Sequence, residues 1–374
     1  MKKVNVAEIK ERDQVESPFL VREKILATAK NGKPYLTLKL MDRTGEIEAR
    51  VWDRVEEFTR LFSRDDFIRV SGRASVYLGK MQLIVQDLQR VGDEDVDLAD
   101  FLPVSGRDLA EMEAELQQLL GSLDDPWVEK LLRAFFDDPV FFKRYRQAPA
   151  AKAMHHVYLG GLLEHSLAVA ALATDIAARY PQANRNLLIA GALLHDVGKV
   201  TELSFERSFN YTDEGKLIGH IMIGAQMIED RVRGIEGFPE ITGILVKHLL
   251  LSHHGQYEFG SPKRPKTLEA VILNFIDDLD SKINGIQTHI DRQPDREGDW
   301  TSYHRLYDRY FYSPLDREPA SQEEQQAVRP APQRQAEPPV RRKRDEPLGF
   351  TLAEQLQGKN LDLFSAVTED KDKP

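Results

Sequence analysis

Two rhythms of apolar and polar positions divide this chain. Up to about residue 92, apolar residues recur at every second position, the period of a half-buried strand. Phe19-Leu20-Val21 leads into Ile25-Leu26-Ala27-Thr28, and Asn31-Gly32-Lys33 reads as a turn. Tyr35-Leu36-Thr37-Leu38-Lys39-Leu40 alternates cleanly, Asp42-Arg43-Thr44-Gly45 turns the chain, and Ile47-Glu48-Ala49-Arg50-Val51-Trp52 alternates again. A short helix is predicted over 55–62. Strands at 67–72 and 82–85 follow, joined through Tyr77-Leu78-Gly79-Lys80.

Five strands with a helix between the third and fourth follow the order of an OB-fold barrel. Such barrels grip single-stranded nucleic acid by stacking bases on exposed rings beside cations. Tyr35, Trp52 and Tyr77 are the candidate platforms here, and Lys33, Arg50, Arg73 and Lys80 the candidate phosphate contacts. The alternative is that these rings fill the barrel or close its ends, as Tyr and Trp in strands often do.

Gly92-Asp93-Glu94-Asp95-Val96-Asp97 is an acidic break, and beyond it the period becomes helical. Leu109, Met112, Leu116, Leu119 and Leu120 share one face. Asp124-Asp125-Pro126 starts a second helix with Trp127, Leu131, Leu132, Phe135 and Phe136 on its apolar side. Further helices are predicted from Gly160-Gly161, after Asn184-Arg185-Asn186 up to His195-Asp196, from His220, from Pro239 to His253-His254, and from Thr267. Residues 203–212 read as a short hairpin turning at Asp213-Glu214-Gly215. The expected layout is α+β and multi-domain: a barrel over 1–92, linker and packing helices over 93–150, an all-α domain over 151–312 and a tail over 313–374. A length of 374 residues accommodates it.

Composition narrows the chemistry. There is no cysteine, which excludes disulfides, thiolate metal sites and a cysteine nucleophile, and fits a reducing cytoplasm. The first residues, Met1-Lys2-Lys3-Val4-Asn5-Val6, have no apolar core of a secretory signal, and the apolar run at 187–194 is too short to span a bilayer, so no membrane is expected. A net charge of -10 argues against bulk, non-specific nucleic-acid binding, though not against a local basic groove. The tail is rich in Pro, Gln, Glu and Arg and reads as disordered. It carries a basic cluster at Arg341-Arg342-Lys343-Arg344 and apolar islands at 348–352 and 361–364, which suit docking of another protein or folding back.

The histidines carry the candidate chemistry. In chain order they are His165, then His195-Asp196, His220, His253-His254 and finally Asp277, each on or at the end of a helix with an apolar face. Helices in a bundle aim such residues inward, where a metal can collect them. Neutral imidazole and carboxylate together suit manganese, iron, cobalt or zinc. His248, His289 and His304 are read as ordinary hydrogen-bonded residues, with His248 a further candidate for support of a ligand.

His…His-Asp…Asp resembles the signature of HD-domain metal phosphohydrolases, and His220 with His253-His254 resembles the variant that binds two metals. With the preceding barrel, Met154-His155-His156, Leu251-Ser252-His253-His254-Gly255 and Asp277-Asp278-Leu279-Asp280-Ser281-Lys282, residues 15–312 resemble the YhaM-type 3′-to-5′ exoribonucleases. The resemblance implies manganese, degradation from the 3′ end, a preference for RNA over DNA, and nucleoside 5′-monophosphate products. On this reading His165, His195, Asp196 and Asp277 hold one ion, and Asp196 bridges to a second held by His220, His253 and His254. Two ions about 3.5–4 Å apart would activate a water and clamp both oxygens of an in-line displacement. Lys199 would neutralise a phosphate oxygen. His155 and His156 would contact the phosphate or protonate the leaving oxygen, or else merely help to start the next helix. Asp280, one turn after Asp277, would support a ligand, while Asp278 points to solvent. Two other functions fit the same residues: a phosphohydrolase of small nucleotides or cyclic dinucleotides with a regulatory barrel, and a non-catalytic nucleic-acid-binding regulator. Whether the chain forms homo-oligomers is left open by its sequence.

Overall fold

The alternating segments form five strands, β1 (Gln14–Thr28), β2 (Pro34–Asp42), β3 (Gly45–Val51), β4 (Phe67–Tyr77) and β5 (Lys80–Val91), with helix α1 (Val55–Leu61) between the third and fourth. The computed structural model describes residues 4–314, apart from 30, 153, 294, 295 and 297. The strands close into a barrel in the order β1-β2-β3-β5-β4, antiparallel except where β3 runs parallel to β5. This is the five-stranded OB fold. Leu36, Leu38 and Leu40 of β2, Ile47, Ala49 and Val51 of β3, and Ile68, Val70 and Ala74 of β4 point into the barrel. Their alternation is what fixes the register, because a slip of one residue would turn every one of them to solvent.

The helical body follows as α2 (Leu109–Gly121), α3 (Pro126–Phe136), α4 (Pro139–Tyr145), α5 (Gly161–Arg179), α6 (Arg185–Leu194) and α7 (Lys199–Glu202). Then come the two-residue strands β6 (Leu203–Ser204) and β7 (Asn210–Tyr211), and α8 (Asp213–Leu217), α9 (His220–Arg233), α10 (Glu240–Ser252) and α11 (Leu268–Asp291). Asp side chains cap the starts of α2, α3 and α4, and Asn184 and Thr267 cap α6 and α11. Each satisfies amide groups that the first turn leaves unpaired. Helices α2 and α3 share one core with α5, α6, α10 and α11, through residues such as Leu116, Leu131, Leu163, Leu193, Leu249 and Leu273. By length and composition α5 is apolar enough to cross a membrane. Its apolar residues instead pack in that core against α6 and α11.

The structure corrects the expected turn at 213–215 and adds the short helices α4, α7 and α8. Asp213-Glu214-Gly215 is the start of α8, capped by the Thr212 hydroxyl, and the 203–212 hairpin turns earlier, between Ser204 and Asn210. Helix α4, absent from the sequence reading, buries Tyr145, whose hydroxyl lies 2.7 Å from Ser166 Oγ and donates to the Leu193 carbonyl. That ties α5 to α6 close to His165 and His195. The tail features at 341–344, 348–352 and 361–364 lie outside the described residues.

Barrel and helices are joined by packing and by charge. Leu20, Phe67, Phe101 and Leu102 enter the helical core, with the Phe67 and Phe101 rings 4.8 Å apart. Arg207 reaches Asp66 of the barrel at 2.7 Å and Asp93 at 2.6 Å. Truncating Phe101 to Ala should therefore destabilise the protein by about 3–5 kcal/mol. A fall in the first thermal transition checks this, and an unchanged melting curve would show that the junction contributes little.

Candidate metal centre and nucleic-acid surface

Five separate elements deliver the candidate ligands. His165 lies one turn into α5. His195 and Asp196 follow the last residue of α6, His220 opens α9, His253 and His254 follow α10, and Asp277 sits within α11. The chain can bring them together because α9 starts hard against the 195–198 turn. A Cβ on Gly198 would stand 2.0 Å from the His220 carbonyl oxygen and 2.7 Å from the Gly224 amide. Only glycine permits that approach.

In four of the five candidate histidines, all but His254, the outer nitrogen is fixed by an acceptor. His165 Nδ1 donates to Asp280 at 2.7 Å and His195 Nδ1 to the Ala192 carbonyl at 2.9 Å. His253 Nδ1 donates to the Leu250 carbonyl at 2.7 Å and His220 Nδ1 to Glu202 at 3.0 Å. Carboxylates and carbonyls only accept, so Nδ1 carries a proton in all four rings and Nε2 is the atom that faces inward.

Those inward atoms fall into two sets. His165 Nε2 is 3.1 Å from His195 Nε2 and 3.2 Å from Asp277 Oδ1. Asp196 Oδ2 is 3.3 Å from His195 Nε2 and 3.9 Å from His165 Nε2. Ligands about 2.1 Å from a tetrahedral ion stand about 3.4 Å apart, so these four atoms have metal-ligand spacing. Two facing lone pairs at 3.1 Å repel unless a cation, a proton or a metal ion, lies between them. The second set surrounds the other oxygen of the same carboxylate, with Asp196 Oδ1 3.5 Å from His220 Nε2 and 3.7 Å from His253 Nε2. His220, His253 and His254 offer ligand atoms within 4.8 Å of one another. Asp196 Oδ1, His220 Nε2, His253 Nε2 and His254 Nδ1 are all buried with no hydrogen-bond partner. Orphaned buried acceptors are costly, and four converging ones fit a cation.

The titration of the site points the same way. Burial alone would lower His165, but its hydrogen bonds to Asp277 and Asp280 raise it to about 9. Burial would raise Asp196 and Asp277, yet Lys199 beside the first and the His165 hydrogen bond to the second hold both well below the usual carboxylate range. The Lys199 ammonium is 2.5 Å from Asp196 Oδ2. Desolvation pushes His253 and His254 down, so both stay neutral donors of a lone pair.

The remaining candidates are placed as follows. His156 is buried, with Nε2 3.7 Å from Asp280, and its Nδ1 is 3.3 Å from that of His155. Both rings lie within 5.2 Å of the His165 ring, measured between centres, and burial drives His155 down to about 2 and His156 to about 4. Asp278 pairs with Lys282 on the surface. His248 accepts from the Lys266 amide and His289 packs on His304, so none of these three takes part in the centre.

On the barrel, Tyr35 and Trp52 stack at 4.8 Å, the Arg50 guanidinium lies 5.7 Å over Tyr35, and Lys33 and Trp52 line an open cleft of about 800 Å³ beside α1. Arg50 also pairs with Glu48 at 3.1 Å. Tyr77 and Lys80 are exposed at the tip of the β4–β5 hairpin. The register sets them beyond Gln82, the partner of Glu48, whereas Tyr35 and Trp52 lie past the Leu36–Val51 pair. The structure thus gathers Tyr35, Trp52, Arg50 and Lys33 into one patch and leaves Tyr77 and Lys80 at the opposite end of β3.

Comparison with known proteins agrees with both halves. The HD domain family matches residues 162–282, and a family described as an OB-fold nucleic acid binding domain matches 20–91. The 3′-5′ exoribonuclease YhaM of Geobacillus sp. (strain WCH70) is 37% identical over 311 residues, covering 81% of this chain and 93% of that one. The protein of the same name from Bacillus subtilis (strain 168) is 35% identical over 304 residues, covering 81% and 95%. The chain belongs to the YhaM exoribonuclease family.

Several residues of this YhaM-family centre escaped the sequence reading. Glu202, which orients His220 through both its ring and its amide, stands 18 residues away and carries no local signal. Ser281 lies 3.3 Å from His155 Nε2, and Asn284 accepts from the His156 amide at 2.8 Å. These two extend the helical face of Asp277 and Asp280, so the period of α11 could have found them.

Two predictions follow from this geometry. With a folded value of about 9, the metal-free His165 ring is cationic at pH 7, and its inner proton must leave before a metal binds. Loading with manganese at pH 7 should release about one proton from it, and affinity should rise up to about pH 9 and then level off. Calorimetry in buffers of different ionisation enthalpy measures this, and no proton release would contradict it. Gly198→Ala should cost roughly 1–3 kcal/mol and lower metal content by displacing His220. Full metal content in the folded variant would show that α9 can retreat without harm.

Proposed function

We propose that this protein is a 3′-to-5′ exoribonuclease. It hydrolyses single-stranded RNA to nucleoside 5′-monophosphates at a centre holding two divalent ions, with manganese the first choice. The observation that carries the reading is the placement of Asp196, whose two oxygens face two different sets of histidine nitrogens. The names of the similar exoribonucleases support the substrate and the direction of degradation.

His165, His195, Asp277 and Asp196 Oδ2 would hold one ion, and Asp196 Oδ1, His220, His253 and His254 the other. When bound, such a pair supplies Lewis-acid activation of the phosphodiester and of a water. The chain's own groups set the stage for it. Asp280 and Glu202 keep His165 and His220 in the ligating tautomer. Lys199 balances the buried charge of Asp196, so contact with a substrate phosphate requires it to give up that partner or share it. His155, half-buried, and His156, buried, are neutral, sit beside His165 and would meet the substrate there. The Tyr35–Trp52 stack, with Arg50 and Lys33, serves as a grip on the strand.

RNA and DNA oligomers labelled at either end, digested with and without manganese, test the proposal. A 5′-labelled RNA should shorten one nucleotide at a time, a 3′-labelled RNA should lose its label at the first step, and chelation should stop both. Asp196→Asn should lower the rate at least 10³-fold with RNA binding retained. Turnover of only nucleotides or cyclic dinucleotides, or undiminished activity after chelation, would refute the reading.

A further inference from the structure

Beyond α11 the chain forms a small hairpin that neither the metal centre nor the barrel accounts for. The Thr301 amide donates to the Phe311 carbonyl at 2.9 Å, His304 to Arg309 at 2.9 Å, and Ser313 to Asp299 at 2.8 Å. Its two faces differ. Thr301, His304, Tyr307 and Phe311 turn toward the body of the protein, where His304 and Phe311 pack on His289 of α11. The other face displays Trp300, Tyr303, Tyr310 and Tyr312, between 44% and 58% exposed. Trp300 meets Tyr312 edge-on at 5.2 Å, and Tyr303 meets Tyr310 at 5.3 Å.

Four exposed rings within 13 residues call for a partner, because a large apolar ring left in water forgoes the burial that stabilises its neighbours. The chemistry of the surface selects which partner. Each pair meets edge to face, so the ring that contributes its edge keeps its π-faces out of that contact, as in surfaces that stack bases. Arg305 and Arg309 are exposed beside them, while the two carboxylates of the segment, Asp299 and Asp308, are engaged by the hydroxyls of Tyr312 and Tyr303. Rings with nearby guanidinium groups suit a polyanion with flat bases better than an apolar protein face.

Position strengthens the case. The Tyr307 hydroxyl lies 2.8 Å from the point where a Cβ on Gly285 would stand, and the Met154 carbonyl lies 3.6 Å from that point. Met154 precedes His155, whose ring is 5.1 Å from that of the ligand His165. Along α11, Gly285 is two turns beyond Asp277, about 12 Å. The inner face of the hairpin therefore packs on α11 within about two turns of Asp277 and close to the segment that leads into His155.

We propose that this hairpin is a second stacking platform for single-stranded RNA, distinct from the barrel, which holds the nucleotides just upstream of the end being hydrolysed. The proposal rests on the exoribonuclease reading for the identity of the strand. Binding of a fluorescent 12-nucleotide RNA to the full chain in EDTA, by anisotropy, tests it without hydrolysis. The double variant Trp300→Ala/Tyr310→Ala should bind at least tenfold more weakly, and Trp300→Phe should stay within threefold of the wild type. Metal content and melting temperature of both variants should match the wild type, since these rings are on the surface. Unaltered RNA affinity in the folded double variant overturns the proposal, and so does unaltered affinity accompanied by a fall in molecular mass, which would assign the rings to a contact between copies. If the double variant loses affinity while the wild-type holoenzyme hydrolyses no RNA, the platform stands and the exoribonuclease reading fails.

Discussion

The structure turns on one buried carboxylate. Asp196 lies at the meeting point of α6, α7 and α9, with one oxygen toward His165 and His195 and the other toward His220 and His253. An ionised carboxylate in such a place is unfavourable by several kcal/mol unless cations surround it. Lys199 supplies one positive charge, and the inward nitrogens supply positions for more. The glycine at 198, the Tyr145 tie between α5 and α6, and the outer acceptors Asp280 and Glu202 all hold that arrangement in place. Preorganisation of this kind lowers the cost of assembling ligands from five separate elements.

Much of this was legible in the sequence because ligand chemistry and helix period are local signals. His and Asp at the ends of apolar helices announced the centre, and alternation in 35–40 and 47–52 announced the barrel. Helix α4 has the same start signal, Asp138-Pro139 repeating Asp125-Pro126, but its seven residues make a weak period. At 213–215 Asp, Glu and Gly suit a turn and a capped helix start alike, and the Thr212 cap decides between them.

What the sequence withheld is tertiary. Glu202 meets His220 across 18 residues, and no periodicity links them. The split between the Tyr35–Trp52 patch and Tyr77 depends on strand register, which residue types alone do not fix. The aromatic hairpin at 299–313 has neither a helical nor a strand rhythm long enough to stand out. Its two-faced character appears only once α11 is in place to cover one side.

The central claim is that one carboxylate joins two metal ions. Electron paramagnetic resonance of the manganese-loaded protein, together with metal analysis, addresses it directly. The account predicts two ions per chain and a spin-coupled signal that gives way to isolated-ion spectra in Asp196→Asn. A single ion per chain, or two ions with no coupling in the wild type, would contradict it.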